Sequence, residues 1–195
     1  MTAAAAARAD EPFDELALKR AQRGDERAWR DLIARFQGPV HALIWRLFAG
    51  RARHRVEDLT QETFVRVLRA LPRFDPAGPA KLQTWILTIA TRLALNELRR
   101  PEPVTLDAET AALDRPDVTA ERRQLGSAIA QGVAQLAAPH RVVLVLREYH
   151  DLDYAEIAAV LELDVGTVKS RLSRARAALR DHLVTAMPEL ARGDV

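Results

Sequence analysis

Between Val165 and Arg180 the chain places Lys169, Arg171, Arg174, Arg176 and Arg180 with no Asp or Glu among them. Cations at that density suit phosphate, and a guanidinium fork also matches the paired acceptors on a guanine edge. Thr167 and Ser170 add hydroxyls to the same stretch. Val165, Val168, Leu172 and Leu179 recur at helical spacing, so the segment predicts a helix with one apolar side and a basic remainder. Just before it, Tyr154–Leu161 predicts a short helix carrying Ile157, Val160 and Leu161 inward. Glu162-Leu163-Asp164 breaks that helix, and the Asp164 side chain can cap the next one. A short helix packed across a long basic one is the helix-turn-helix geometry, whose second helix enters the DNA major groove. The alternative is an ordinary amphipathic pair with a solvated basic face; the absence of acid over the whole stretch argues against it.

A second constellation runs from Arg73 to Arg100. It combines Arg73, Lys81, Arg92, Arg99 and Arg100 with Phe74 and Trp85 around the loop RFDPAGPAK. Unstacked bases need a flat surface and their backbone needs cations, so this suits single-stranded DNA. Taken alone, Trp85 is more readily a core residue than a platform. A third, EDLTQETFVRVL (Glu57–Leu68), sets Asp58, Gln61, Glu62 and Arg66 opposite Phe64, Val67 and Leu68. On its residues alone, that polar side is a solvated face.

Helical periodicity runs through nearly the whole chain, and strand signals are almost absent. Leu16, Trp29, Leu32, Ile33, Phe36, Val40, Leu43, Ile44 and Leu47 recur with breaks at Gly24-Asp25 and Gly38-Pro39, which predicts two or three helices. Asp58–Leu71 follows with Leu59, Phe64, Val67, Leu68 and Leu71 inward, closed by Pro72. Leu82–Arg100 carries Ile86, Ile89, Leu93 and Leu98 on its inner side, and Pro101 and Pro103 end it. Glu121–Leu136 and Arg141–Glu148 supply two more helices. The expected fold is all-α: a leader at 1–12, a helical domain at 13–101, a flexible acidic linker at 102–120, a helix-turn-helix domain at 121–185 and a tail at 186–195.

The net charge of +2 conceals an uneven distribution. Residues 1–100 hold eighteen Lys and Arg against twelve Asp and Glu, whereas residues 101–120 hold one against five. An acidic segment therefore hides a basic body. There are no cysteines, which excludes disulfides and thiolate-ligated zinc. The five histidines are scattered, with no pair at metal-ligand spacing. No apolar run approaches a membrane span, and the alanine-rich start lacks the basic beginning of a signal peptide, so a cytoplasmic protein is expected. No nucleophile–base pair or phosphate-binding glycine loop occurs; neither a catalytic residue nor a cofactor is expected.

In this order, the segments resemble the extracytoplasmic-function (group 4) sigma factors of bacterial RNA polymerase, from about Phe13 to Leu183. EDLTQETFVRVLRAL looks like that family's core-polymerase-binding helix, FDPAGPAKLQTWILTIATRLALNELRR like its −10 recognition segment, and LAAPHRVVLVLREYHDLDYAEIAAVLELDVGTVKSRLSRARAALR like its −35-binding domain. The resemblance implies that Asp58, Gln61, Glu62 and Arg66 meet the clamp helices of the largest polymerase subunits. It implies single-stranded −10 contacts for Arg73, Phe74, Asp75, Lys81, Trp85, Arg92, Asn96, Arg99 and Arg100. For Thr167, Lys169, Ser170, Arg171, Arg174 and Arg176 it implies duplex −35 DNA. It also implies an anti-sigma partner.

Some positions depart from the pattern. Family members usually read Arg-Asn at Thr91-Arg92, Asp at Asn96 and an aromatic at Leu82, and Gly is common at Asp151 and Glu162. A stand-alone regulator of the response-regulator output type also ends in a basic helix-turn-helix. It would bring a receiver domain, whose βα alternation is missing here.

Overall fold

The computed structural model describes residues 13–49, 53–99 and 119–188. The expected leader, the linker through residue 118, Arg100 and the tail beyond residue 188 lie outside the described residues. Within them the fold is helical, without strands. The first half consists of α1 (Glu15–Gln22), α2 (Glu26–Leu47), α3 (Arg53–Ala70), a 3-10 turn (Leu71–Arg73) and α4 (Leu82–Leu98). The second consists of α5 (Ala120–Gln135), α6 (Ala138–His150), α7 (Tyr154–Leu161) and α8 (Val165–Ala186).

Local chemistry starts each half. Asp14 caps α1 by accepting from the Ala17 N–H at 2.9 Å. Gly24, at φ 87°, turns the chain, and Asp25 then accepts from the Arg27 and Ala28 N–H groups to start α2. Arg20 donates to the same carboxylate at 2.8 Å. The Ala28 backbone hydrogen bond, followed by Arg20, holds the Asp25 carboxyl below its ordinary value. The Gly38-Pro39 pair does not divide the helix: α2 runs through Pro39. One backbone hydrogen bond is lost there, but buried Phe36 and Val40 flank the proline and packing holds the helix.

Helices α2, α3 and α4 pack against one another around Leu32, Leu43, Ile44, Leu71, Ile86 and Leu87. In the second half α8 packs on α5, α6 and α7. The two helical domains expected from the sequence pack against each other. Their buried apolar residues form one contiguous cluster, with α6 lying on α2 and α7 on α4. The run Arg141–Leu146 is buried at six consecutive positions. A helix buried all round needs cover on every side, and α6 receives it from α8 and α2.

Close approach fixes the α5–α8 crossing. A Cβ at Gly132 would lie 2.6 Å from Leu179 Cδ1 and 2.8 Å from His182 Cδ2. Three described residues past helix ends adopt the left-handed conformation without glycine: Ala49 at φ 56°, Asp151 at φ 53° and Glu162 at φ 55°. The last two are the positions where the sequence resemblance leads one to expect Gly, and the geometry supplies the reason.

Three residues expected inward are exposed: Leu16 at 66%, Leu68 at 48% and Val165 at 39%. On α1 the buried residues are Leu18 and Ala21, and Leu16 is two positions earlier, on the other side of the helix. Leu68 stands one position off buried Val67, at the edge of the α3 stripe. Val165 occupies the first turn of α8, ahead of buried Val168.

Candidate polymerase and nucleic-acid interfaces

The helix-turn-helix is built by three caps. Asp153 accepts from the Glu156 N–H at 2.8 Å while Glu156 Oε2 accepts from the Asp153 N–H at 2.9 Å, a reciprocal capping box at the start of α7. Glu162 ends α7 in the left-handed conformation, and the Leu163 N–H returns to the Ala158 carbonyl at 2.9 Å. Asp164 starts α8, accepting from both the N–H and the hydroxyl of Thr167, contacts that lower its carboxyl pKa. Val168, Leu172 and Ala175 then anchor α8 inward.

That anchoring decides which cations face out. Lys169, Ser170, Arg174 and Arg180 are exposed, and Arg171 is half-buried. The Thr167 hydroxyl is committed to the Asp164 cap, and Ser170 donates to the Thr167 carbonyl at 3.0 Å. Lys169 stands 5.9 Å from the Tyr154 ring centroid. Arg176 turns aside to Glu148 of α6, donating from Nε at 3.1 Å and Nη2 at 2.6 Å. The outward basic surface therefore centres on Lys169, Arg171, Arg174 and Arg180.

The loop ahead of α4 is tied to α1. Gln22 Nε2 donates to the Leu71 carbonyl at 3.1 Å and to the Phe74 carbonyl at 2.7 Å. Phe74 is 9% exposed and packs against Trp85 with ring centroids 4.9 Å apart. Its ring is buried against Trp85, which is itself half-buried. Arg69, Ala70, Arg73, Phe74 and Trp85 surround a hollow of about 310 Å³. Asp75 accepts from the Ala77 N–H at 2.9 Å and so shapes the turn; Lys81 stands exposed at the start of α4. Asn96 and Arg99 are exposed near the far end of α4, and Asn96 is about 16 Å along the axis from Trp85. Arg92 points elsewhere, to Glu162 at 2.7 Å.

On the outer face of α3, Asp58 and Gln61 are exposed, and Glu62 pairs with Arg66 at 2.8 Å. Beside them Trp29, Ile33, Phe64, Val65 and Leu68 line an open apolar groove of about 430 Å³ between α2 and α3. Polar and apolar surface thus adjoin on one helix pair.

Residues outside the sequence-derived sites bring the two halves together. Thr84 donates to Glu156 Oε1 at 3.0 Å, and buried Arg141 of α6 donates to the Leu47 carbonyl of α2 at 2.7 Å. The D-x-x-E capping box signals Glu156 as a cap, and the unbroken apolar run after Arg141 signals a helix covered all round. Neither names its partner. Among the described residues no group of His, Asp or Glu could hold a metal ion, and no helix is long and apolar enough to cross a membrane.

The described residues thus form a helical body with a polar face on α3 and a loop-and-aromatic hollow, followed by a basic helix-turn-helix of the DNA-binding class. The Sigma-70 region 2 family matches residues 32–102, and the Sigma-70 region 4 family matches residues 127–179. The RNA polymerase sigma-H factor of Pseudomonas aeruginosa is 34% identical over 180 residues, covering 85% of this chain and 91% of that protein. The ECF RNA polymerase sigma factor SigW of Bacillus subtilis is 31% identical, with 85% and 94% covered. Among solved structures, CnrH in complex with the cytosolic domain of CnrY is similar, with a TM-score of 0.63, 30% identity and 88% of this chain covered. The chain belongs to the extracytoplasmic-function sigma factors of the sigma-70 family. It is a non-enzymatic alternative sigma factor that recognises promoters together with RNA polymerase.

Proposed function

We propose that the interfaces divide the work of initiation as follows. Residues 13–101 form a body that docks on core polymerase through Asp58, Gln61, Glu62 and Arg66 on α3, at its clamp helices. The same body reads the melted −10 strand with the Arg73–Lys81 loop and α4. Residues 102–120 link it to residues 121–185, which bind duplex −35 DNA through α8. An anti-sigma partner belongs to this reading as well; one solved chain of similar fold is the sigma factor RpoE of Bartonella quintana in complex with the anti-sigma factor NepR. The protein works in the cytoplasm, where polymerase and promoter are.

The observation that carries this assignment is the outer face of α8. Lys169, Arg171, Arg174 and Arg180 project there with no acid between Val165 and Arg180, and the helix is pinned from behind by Val168, Leu172 and Ala175. Run-off transcription with core polymerase on a randomised promoter library tests it, the expected outcome being enrichment of two spaced elements. On α3, charge reversal at Asp58 and Glu62 should weaken core binding with thermal stability nearly unchanged, since both lie on the polar side. Core affinity equal to wild type in that double variant rejects the docking face. At the other end, Lys81 and Trp85 variants should lose base discrimination on a fork template carrying single-stranded −10 DNA; normal discrimination there moves the −10 assignment elsewhere.

A further inference from the structure

The hollow beside the Arg73–Lys81 loop has a one-sided chemistry. It is lined by Arg69, Ala70, Arg73, Phe74 and Trp85. Arg69 belongs to the last turn of α3, and Arg73 closes the 3-10 turn that follows. Both are exposed, and among the described residues neither is held by a hydrogen bond or an ion pair. Phe74 and Trp85, with ring centroids 4.9 Å apart, supply apolar carbon beside them. The side chains that can hydrogen-bond here can only donate: a guanidinium has five N–H donors and no acceptor, and an indole has one donor and no acceptor. The Phe74 carbonyl is taken by Gln22 Nε2 at 2.7 Å, and Asp75, outside this lining, accepts from the Ala77 N–H at 2.9 Å. At about 310 Å³ the hollow is at the lower end of ligand pockets, about 300 to 1,000 Å³, which suits a single base.

Nucleobases differ in what their edges require. Guanine shows two adjacent acceptors, O6 and N7, and thymine shows O4 beside a methyl group. Adenine sets an amino donor next to its N7, and cytosine presents an amino donor. An amino group facing a guanidinium meets another donor, so it gives up its water without a replacement. The planar guanidinium fork matches the O6 and N7 pair of guanine. A phosphate would satisfy the two arginines but not the aromatic carbon beside them; a base satisfies both.

We propose that this hollow selects a keto base from the melted −10 strand, guanine ahead of thymine, and that Arg69 and Arg73 set the choice. The proposal rests on the reading of the loop and α4 as the −10 surface, and it adds Arg69 to that surface as a residue that determines specificity.

The test uses core polymerase carrying the full-length chain and fork templates whose single-stranded −10 segment is randomised, with the bound templates sequenced. One position should favour guanine over adenine and cytosine by about tenfold, with thymine between them. Arg69→Ala with Arg73→Ala should level that position and leave the others as they are. Arg69→Lys with Arg73→Lys should level it as well, with the salt dependence of binding unchanged, because lysine keeps the charge and loses the fork. Ala70→Leu fills the hollow without removing either guanidinium and should also abolish the preference. A guanine analogue with carbon in place of N7 should lose most of the advantage of guanine in the wild type and none in the double alanine variant. Uniform weakening across all sequences in the alanine variant, restored by lysine, assigns the pair to phosphate and overturns the proposal. So does the lack of any position favouring a keto base, or a guanine preference that survives the arginine variants or Ala70→Leu. Failure of the −10 reading itself shows differently, as normal base discrimination by the Lys81 and Trp85 variants on the same templates.

Discussion

The outer face of α8 meets solvent along its length, whereas the Thr84–Arg92 face of α4 packs against α7, with only Arg92 reaching solvent at its end. From Val165 to Arg180 the cations on α8 have no acid beside them in the sequence, and Arg176 is drawn off to Glu148 of α6. On α4, Arg92 is already taken by a carboxylate from the other half. The difference is one of support: α8 is held from behind by Val168, Leu172 and Ala175 and leaves its basic side free, whereas α4 is packed by α2 and α3 on one side and by α7 on another.

The comparison breaks most severely if the open face loses its support. Leu172 is 1% exposed beneath α8, and Leu172→Ala should cost about 2–5 kcal/mol in chemical denaturation, with loss of −35 binding. A cost near zero would mean that α8 is not held from behind. Acid should act next, where α6 meets α2. Burial, followed by the neighbouring Arg46, lowers the His150 pKa from 6.5 to about 4. The unfolded chain therefore binds a proton between those values that the folded chain refuses. Stability is full above pH 6.5 and falls as pH drops toward 4, by roughly 2 kcal/mol at pH 5. Denaturation midpoints of wild type and His150→Phe across that window check this, the variant being flatter; equal slopes would sink it.

The smallest effect sharpens the comparison most. Asp151→Gly and Glu162→Gly should each relieve a left-handed non-glycine residue and stabilise by about 1 kcal/mol or less. Only Glu162→Gly also removes the partner of Arg92. Glu162→Gly should therefore gain slightly less in thermal denaturation than Asp151→Gly, with the difference vanishing in an Arg92→Ala background. Equal gains in both backgrounds would reduce Glu162 to a helix end.

The sequence alone brings the helix-turn-helix into view because its signals are local. Tyr154–Leu161 has the bounds that its periodicity predicts, and Asp164 caps where its side chain can. The three exposed leucine and valine positions show the limit of such signals. Periodicity gives the angle of an apolar stripe, but what covers its edges is decided by distant elements. Arg141 and Glu162 are further cases, since their partners are 94 and 70 residues away. At Asp151 and Glu162 a departure from the family pattern was legible, but its conformational meaning needed the backbone. Phe74 read as a flat surface for bases, yet it packs inward because Gln22 pulls its carbonyl toward α1.

That Gln22 amide has a reach beyond its own helix. By holding the Leu71 and Phe74 carbonyls together, it fixes where the chain leaves α3 and at what angle the following loop sets out. Asp75 to Lys81 thus extends from a fixed stem, like a finger whose knuckle is clamped. The stem is clamped by α1, a helix assigned to neither polymerase nor DNA. A change in how α1 sits would therefore move the stem of that loop without touching any residue of the loop itself.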